Sequence, residues 1–592
     1  MKKRGQTIKD TVATTKYLLK IIGKNNKSYF ILKIFSAVLN AIIPLPLILL
    51  PGAIINELVG RRRTEILYIY ILILTVVPIA QYLINKIIER FTHKLAFKIN
   101  LGIETDFFMH VSTMRYETLE DPKIQAQKDR AQNVLASVLG VVDCLEELIC
   151  SIIGIVAVGT IIVELNWFVI VIVIINLIIN SKVSKCAARK QFKIDESSSI
   201  LERFLFSCSI MINGIYFGKE NRIYNTSSIL IEKYKDVAKE KNNNEVKGVE
   251  IWNIANLFPQ LTSGVQNATA YLYLVYDTIF NNCPIGNLTI YISSVNRLAE
   301  SLSNIVKSYL RLNRQSMYVN DYLDFMNIHL SQYSKSEAHP EFNCNSVIEF
   351  SNVSFIYPGS SEYALKDVSI TIRGNEKLCL VGSNGSGKST FIKLLLRLYE
   401  PTKGEILLNN VNIKYYSIDE YYKLFAPVFQ DFCLYYLSLR ENIVFDNKTN
   451  IDKLKEVATQ SGINSFIDKL EFGYDTQIGK MIDDRGVDPS GGEGQKLAIA
   501  RALYHDRQIY LLDEPTASLD PNAEYEIYSK FSSIIHDKCA ILITHRLSAV
   551  QLADKVAVLE DGKLVEYGTH KELYKKGGIY TEMFDKQAQF YR

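Results

Sequence analysis

Long apolar runs confined to the first half of the chain constrain its fold more than any other feature. A helix that crosses a bilayer needs about 20 mostly apolar residues. Runs of that order lie at about 29–55, 66–88, 136–163, 166–181, 252–279 and 286–310. The second, third and fourth stand out by hydropathy, whereas the fifth and sixth are more polar. Six spans, an even number, leave both ends of the chain on one side of the membrane. Lys2, Lys3, Arg4, Lys9, Lys16, Lys20, Lys24 and Lys27 precede the first run. Lys86, Arg90, Lys94 and Lys98 begin one long charged connection, 89–135, and Lys182, Lys185, Arg189 and Lys190 begin the other, 182–251. The positive-inside bias therefore predicts cytoplasmic termini and long loops, with short loops near 56–65, 164–165 and 280–285 outside. Arg61, Arg62 and Arg63 oppose this locally, but orientation follows the summed bias. The first run is too long for a signal-peptide core, and no A-x-A-like cleavage site follows it.

The weaker spans carry patterned polarity. Asn253, Asn256, Gln260, Ser263 and Asn267 recur at helical steps in the fifth run and share one face. Asn296, Glu300, Asn304, Lys307 and Arg311 do the same in the sixth. Polar groups at membrane depth need protein or water around them. The stripes therefore line a hydrated cavity or join helices by hydrogen bonds, and the end of the sixth also fits a helix that continues past the membrane. Asp143, Glu146 and Glu147 add negative charge to such a cavity or lie near the membrane surface.

At 592 residues the chain exceeds one compact domain. Its formal net charge of +4 gives no basis for nucleic-acid binding. Nine scattered cysteines, without a C-x-x-C pair or a His/Cys cluster, argue against a zinc site or disulfide framework and suit a reducing compartment. The apolar runs stop near residue 325. Residues 326–346 are polar, contain a proline and read as a linker. Residues 347–592 then alternate short strands and helices. Their strongest motif is Gly382, Ser383, Asn384, Gly385, Ser386, Gly387, Lys388, Ser389 and Thr390, a G-x-x-x-x-G-K-[ST] loop between a strand-like run and a helix-like run. Its glycines let backbone N–H groups turn around phosphate oxygens, and the following helix N-terminus favours anions. Lys388 is expected to reach the β- and γ-phosphates of ATP, and the Ser389 hydroxyl to bind Mg²⁺. Downstream, the apolar run Ile509 to Leu512 delivers Asp513 as a Mg²⁺ ligand and Glu514 as the residue that orients and deprotonates water. Two acids after a strand are weak evidence alone and gain weight from the loop upstream.

Taken in order, these motifs resemble the ATP-binding cassette of ABC transporters. Tyr357 resembles the adenine-stacking aromatic, and Gln430 the Q-loop glutamine, which the resemblance implies acts at the metal and in catalysis. Ser490, Gly491 and Gly492 resemble the signature motif, although Pro489 and Glu493 replace the first and last residues of its usual LSGGQ. Asp513 and Glu514 resemble the Walker B pair, Asp520 the D-loop aspartate and His545 the switch histidine. Glu117 to Pro122 and Gly214 to Tyr224 resemble the coupling-helix regions of the exporter type. The fold class implied is an all-α six-helix transmembrane domain, residues 1–325, followed by an α/β P-loop NTPase cassette, residues 347–592. The function implied is ATP-driven export from the cytoplasm, with ATP and Mg²⁺ as cofactors. The signature would act in trans, so a second half-transporter chain is required. Glu514 and His545 are both present, which favours a homodimer. Polar stripes point to a small polar or amphiphilic cargo, a peptide first, with a multidrug or lipid exporter as the nearest alternative. A regulatory ABC ATPase without transport is the reading of another class, and the membrane half argues against it.

Overall fold

In a computed structural model the residues described are 8–135, 138–163, 167–280, 284–328, 339–446, 448–515, 537–544, 550 and 553–589. They form two units, 1–112 with 126–328, and 113–125 with 329–592.

The first unit is helical: α1 (Ile8–Asn25), α2 (Lys27–Ile42), α3 (Pro44–Val59), α4 (Thr64–Thr113), most of α6 (Pro122–Leu135), α7 (Gly140–Val163), α8 (Trp167–Asn213), α9 (Gly218–Ile223), α10 (Thr226–Phe280) and α11 (Ile285–Met326). Asn26 caps α2 by accepting from the Ser28 N–H at 3.0 Å. Pro44, which has no N–H to donate, sits at the start of α3 and separates it from α2. Among the described residues three stretches are long and apolar enough to cross a membrane by length and composition, 27–59, 64–113 and 170–195, fewer than the six spans expected from the sequence. A bent pair, Ile200–Asn213 with Ile215–Ile223, meets the same test only when counted as one segment. At 1.5 Å per residue, α4 runs about 75 Å, far beyond the roughly 30 Å hydrocarbon core. Its apolar part is thus only the first half of one continuous helix, and the charged connection after residue 88 is its prolongation. In α8, 47 residues long, the charged part likewise follows the apolar run, whereas in α10, 55 residues long, it precedes it.

Two contacts show how these helices are held. A Cβ on Gly52 would come within 2.3 Å of the Gly286 carbonyl oxygen, so α3 and α11 touch backbone to backbone, and Asn56 accepts from the Gly286 N–H at 2.7 Å. Between α8 and α10, Asn176 donates to Gln266 at 2.7 Å and Asn180 to Thr262 at 3.1 Å. The interhelical bonds of α10 are therefore made beside its expected stripe, whose Asn253, Asn256 and Gln260 are exposed.

The second unit contains α5 (Tyr116–Glu120) and the α/β domain. A four-stranded sheet of β1 (Val347–Phe355), β2 (Leu365–Arg373), β4 (Lys403–Leu408) and β5 (Val411–Asn412) has the order β2-β1-β4-β5. A six-stranded sheet contains β3 (Lys377–Val381), β6 (Phe425–Val428), β7 (Ile509–Asp513), β8 (Cys539–Ile543), β9 (Lys555–Glu560) and β10 (Lys563–Gly568), ordered β10-β9-β3-β8-β7-β6. All its pairings are parallel except β10 with β9. Continuous apolar runs such as Ile509 to Leu512 and Cys539 to Ile543 are buried throughout, as strands covered on both faces require. Around the sheets lie α12 (Lys388–Leu395), α13 (Ile418–Tyr422), α14 (Leu439–Val444), α15 (Ile451–Gln460), α16 (Asn464–Ile467), α17 (Gly491–His505), α18 (His570–Lys576) and α19 (Ile579–Gln589). Phe350 of β1 stacks on Phe391 of α12 with ring centroids 4.1 Å apart, which fixes α12 over the sheet. Parallel strands present ligands at their carboxyl ends, and β3 and β7 end there side by side with β8 between them.

Candidate functional site

The phosphate loop joins β3 to α12. Gly382, Gly385 and Gly387 all have positive φ, 155°, 82° and 103°, and two of them also need their missing side chain. A Cβ on Gly382 would sit 2.2 Å from the Leu559 oxygen, and one on Gly387 2.6 Å from Leu365 Cδ2. Ser383, Asn384, Gly385 and Ser389 are exposed along the loop. Ser386 is 2% exposed and its Oγ has no hydrogen-bond partner. A buried hydroxyl left in this way is costly, and a phosphate oxygen would satisfy it. Lys388 is buried and folds back over the loop, donating to the Gly382 oxygen at 2.9 Å and the Ser383 oxygen at 2.8 Å. Burial pulls its pKa down, opposed by the carboxylates of Glu514 and Asp513. An anion in the loop would favour the charged ammonium.

Opposite the lysine stand the two acids that end β7. Burial, then the charges of Glu514 and Asp431, push the Asp513 carboxyl up to about 6, while Lys388 lowers it. Glu514 adopts a left-handed backbone at φ 46°, uncommon for a residue with a Cβ. Its N–H donates to the Ile543 oxygen at 3.0 Å, and its own oxygen accepts from Gln495 Nε2 at 3.2 Å. Gln430 Nε2 donates to Glu514 Oε2 at 3.1 Å. Thus Lys388, Gln430, Asp513 and Glu514 converge at one edge of the sheet. Among the described residues no three or more His, Cys, Asp or Glu form a metal cage. Mg²⁺ bound through one or two carboxylates, substrate phosphates and waters needs none, and the Asp513 carboxylate and the exposed Ser389 hydroxyl are of the kinds that donor set uses.

Tyr357 packs edge-on against Phe355 and Tyr399, with centroids 4.9 and 5.3 Å away. Its hydroxyl shares a 3.1 Å hydrogen bond with Thr390 Oγ1, tying it to the first turn of α12. Lys393 Nζ lies 5.5 Å from the centre of the same ring. Asp520 and His545 fall outside the described residues.

Ser490 caps α17, and Gly491 and Gly492 form its first turn. The unusual Glu493 has a structural partner. Its carboxylate accepts from the Ser490 N–H at 2.8 Å and the Ser490 hydroxyl at 2.7 Å, while the Ser490 oxygen faces the Glu493 N–H at 3.4 Å. This is a reciprocal capping box. The S-x-x-E spacing carried that signal in the sequence, where it was masked by comparison with LSGGQ. Sequence reading also passed over Lys393 and Tyr399; the first expected coupling-helix region, Glu117 to Pro122, falls on α5 and the start of α6. Tyr399 donates to Glu120, Tyr116 packs edge-on against Tyr399 with ring centroids 5.9 Å apart, and Arg115 pairs with Glu400 at 2.9 Å. The second region, 215–223, forms a short 3₁₀ turn and α9, with Ile215 and Tyr216 largely exposed.

Residues 365–517 match the family described as ABC transporter. The subtilin transport ATP-binding protein SpaT of Bacillus subtilis is 29% identical over 96% of this chain and 93% of its own length. The nisin transport ATP-binding protein NisT of Lactococcus lactis is 24% identical over 97% and 96%. An ATP-dependent lipid A-core flippase of Haemophilus ducreyi is 32% identical over 54% of each chain. The structure of a bacterial Atm1-family ABC exporter with ATP bound matches in fold at a TM-score of 0.82, with 21% identity over 95% of this chain and 98% of that one. A helical half rich in apolar segments, a cassette with this loop geometry and end-to-end similarity to transport ATP-binding proteins lead to one assignment: residues 365–517 are an ABC transporter cassette, in a chain built like the ABC exporters it resembles, and this cassette couples ATP hydrolysis to transport.

Proposed function

We propose that the chain is one half of a homodimeric exporter that moves a small polar or amphiphilic peptide out of the cytoplasm. The observation that carries the ATPase chemistry is the meeting of Lys388, Gln430, Asp513 and Glu514 at the mouth of the phosphate loop. In this reading the loop N–H groups and Lys388 hold the ATP phosphates, and Asp513, Ser389 and Gln430 hold Mg²⁺. The bound metal supplies charge neutralisation of the phosphates. Glu514, its backbone pinned and its carboxylate steered by Gln430, accepts the proton of the attacking water. His545 steadies the γ-phosphate, and Tyr357 takes the adenine. Ser490, Gly491, Gly492 and Asp520 of a partner chain complete the site, so ATP favours the closed cassette pair through its higher affinity for that state. In this reading 1–325 cross the cell membrane, with six spans expected from the sequence, and the cassette, 347–592, lies in the cytoplasm; the apolar helices and the positive-inside bias support it.

The peptide assignment rests on the two transport proteins matched from end to end, whose names specify subtilin and nisin. The flippase similarity supports lipid as the second reading, over about half the chain. Glu514→Gln in nanodiscs separates binding from chemistry. Labelled ATP should still bind, while turnover falls by about 10²–10⁴-fold, the usual contribution of a general base. Turnover near wild type would remove Glu514 from that role. Stimulation of wild-type ATPase by amphiphilic peptides and not by lipid A selects between the two cargo readings.

A further inference from the structure

Within the helical unit, α2, α7 and α11 line an open cavity of about 360 Å³. Asn40, Glu146, Glu147, Ser151, Ser301 and Asn304 are among its lining groups, so the interior is polar although all three helices are read as membrane spans. Charges at such depth are expensive and normally paired. The pairing here is incomplete. Lys33 Nζ serves two carboxylates at once, Asp143 at 2.7 Å and Glu146 at 2.8 Å. Arg311 pairs with Glu147, which also accepts from Ser308, and Arg297 pairs with Glu300 at 3.1 Å. The group therefore holds four carboxylates, 143, 146, 147 and 300, against three cations, 33, 297 and 311, an excess of one negative charge. The excess falls on the two acids that share Lys33.

A second observation is independent of charge. Ser151 and Ser301 line the cavity at 4% and 2% exposure. Neither hydroxyl has a hydrogen-bond partner among the described residues. Ser301 Oγ lies against bare backbone, 3.1 Å from where a Cβ on Gly154 would stand. Hydroxyls that line a polar cavity can both donate to and accept from a polar guest.

We propose that this cavity is a binding subsite for an organic cation of the cargo, a primary ammonium or a guanidinium on a polar peptide. The cation supplies the missing positive charge beside Asp143 and Glu146, and its N–H groups give donors to the unpartnered serine oxygens. Anionic head groups are repelled by the same excess. The proposal rests on the export reading and narrows its cargo.

Cys150 lines the cavity and is half-buried, which provides a native reporter. The full chain in nanodiscs is treated with two thiol reagents, trimethylammonium-ethyl and sulfonato-ethyl methanethiosulfonate. Modification of Cys150 is followed by mass spectrometry, and each rate is normalised to free cysteine. Both reagents meet the same fraction of thiolate, so their ratio reads local charge alone. The cationic reagent should be favoured by about tenfold or more, as expected from roughly one extra charge at low effective dielectric. Asp143→Asn should move the ratio towards one, and Lys33→Gln should raise it further; a folding defect cannot produce both signs. The peptide acetyl-Lys-Gly-Lys-amide should protect Cys150, and its lysine-acetylated form should not. A wild-type ratio near one, a ratio indifferent to Asp143, or a Cys150 inert to both reagents would each overturn the subsite. None of these rates depends on ATP, so failure of the Glu514 chemistry and failure of the cation subsite are read separately.

Discussion

Asp513→Asn should make the nucleotide-free protein more stable while removing its response to Mg²⁺ and ATP. The Asp513 carboxyl is lifted from its ordinary 3.8 to about 6, first by burial and then by the charges of Glu514 and Asp431. A lift of about two units corresponds to about 3 kcal/mol against the ionised form. Partial exposure and coupling to Glu514 reduce this to about 2 kcal/mol. The sign follows from proton linkage. Between pH 3.8 and 6 the folded state binds more protons here than the unfolded state, so stability falls as pH rises through that window. The cost is fully present above the folded pKa and gone below the unfolded one. Asparagine imitates the protonated acid, so its benefit should be largest at pH 8 and shrink to about a third at pH 4.5. For a domain of this size 1 kcal/mol moves a melting transition by about 2–4 °C, giving about 4–8 °C at pH 8. Differential scanning calorimetry of the full chain without nucleotide or Mg²⁺ measures it. Equal transitions at pH 8, or a gain that persists undiminished at pH 4.5, would refute the reasoning.

Two further substitutions test the site's framework. Glu493→Ala removes the carboxylate arm of the capping box, two hydrogen bonds from Ser490 together worth about 1–2 kcal/mol, and should speed amide exchange in the first turn of α17 by about tenfold. Glu493→Gln keeps an acceptor and loses only the charge, about 0.3–1 kcal/mol, so exchange there should rise at most about fivefold and ATPase activity should be kept or increased. Equal exchange in both variants would show that the box does not hold this turn. Gly387→Ala forces a Cβ onto Leu365 and the Ala364 oxygen at φ 103°, at a cost of about 2–4 kcal/mol from overpacking and backbone strain. Labelled-ATP binding should fall steeply, and unchanged affinity would mean the loop is looser than its contacts imply.

The phosphate loop and the β7 acids were legible because each is a contiguous motif whose chemistry follows from spacing. The apolar runs within 27–59, 64–113 and 170–195 were legible for the same reason, since hydropathy reports what the bilayer demands. Hydropathy marks where the membrane ends and not where the helix ends, so the charged prolongations of α4, α8 and α10 looked like loops. Glu493 was readable as S-x-x-E but was judged against the wrong template. The cavity lay beyond reach because its charge balance depends on Lys33 meeting Asp143 and Glu146 from another helix, 110 and 113 residues away in sequence. Asn304 and Arg311, from the stripe expected in the sixth span, do line that cavity, whereas none of the five fifth-span stripe residues is among its lining groups.

The grouping of α5 with the cassette has a mechanical consequence. The chain passes between the two units three times, at 112/113, 125/126 and 328/329. Residues 113–125 are gripped by cassette side chains, although the chain on either side of them belongs to the helical unit. Tyr399, Glu400 and Lys393 hold α5 close to Tyr357, so a shift of the aromatic cluster beside the phosphate loop is felt by α5 through direct contact.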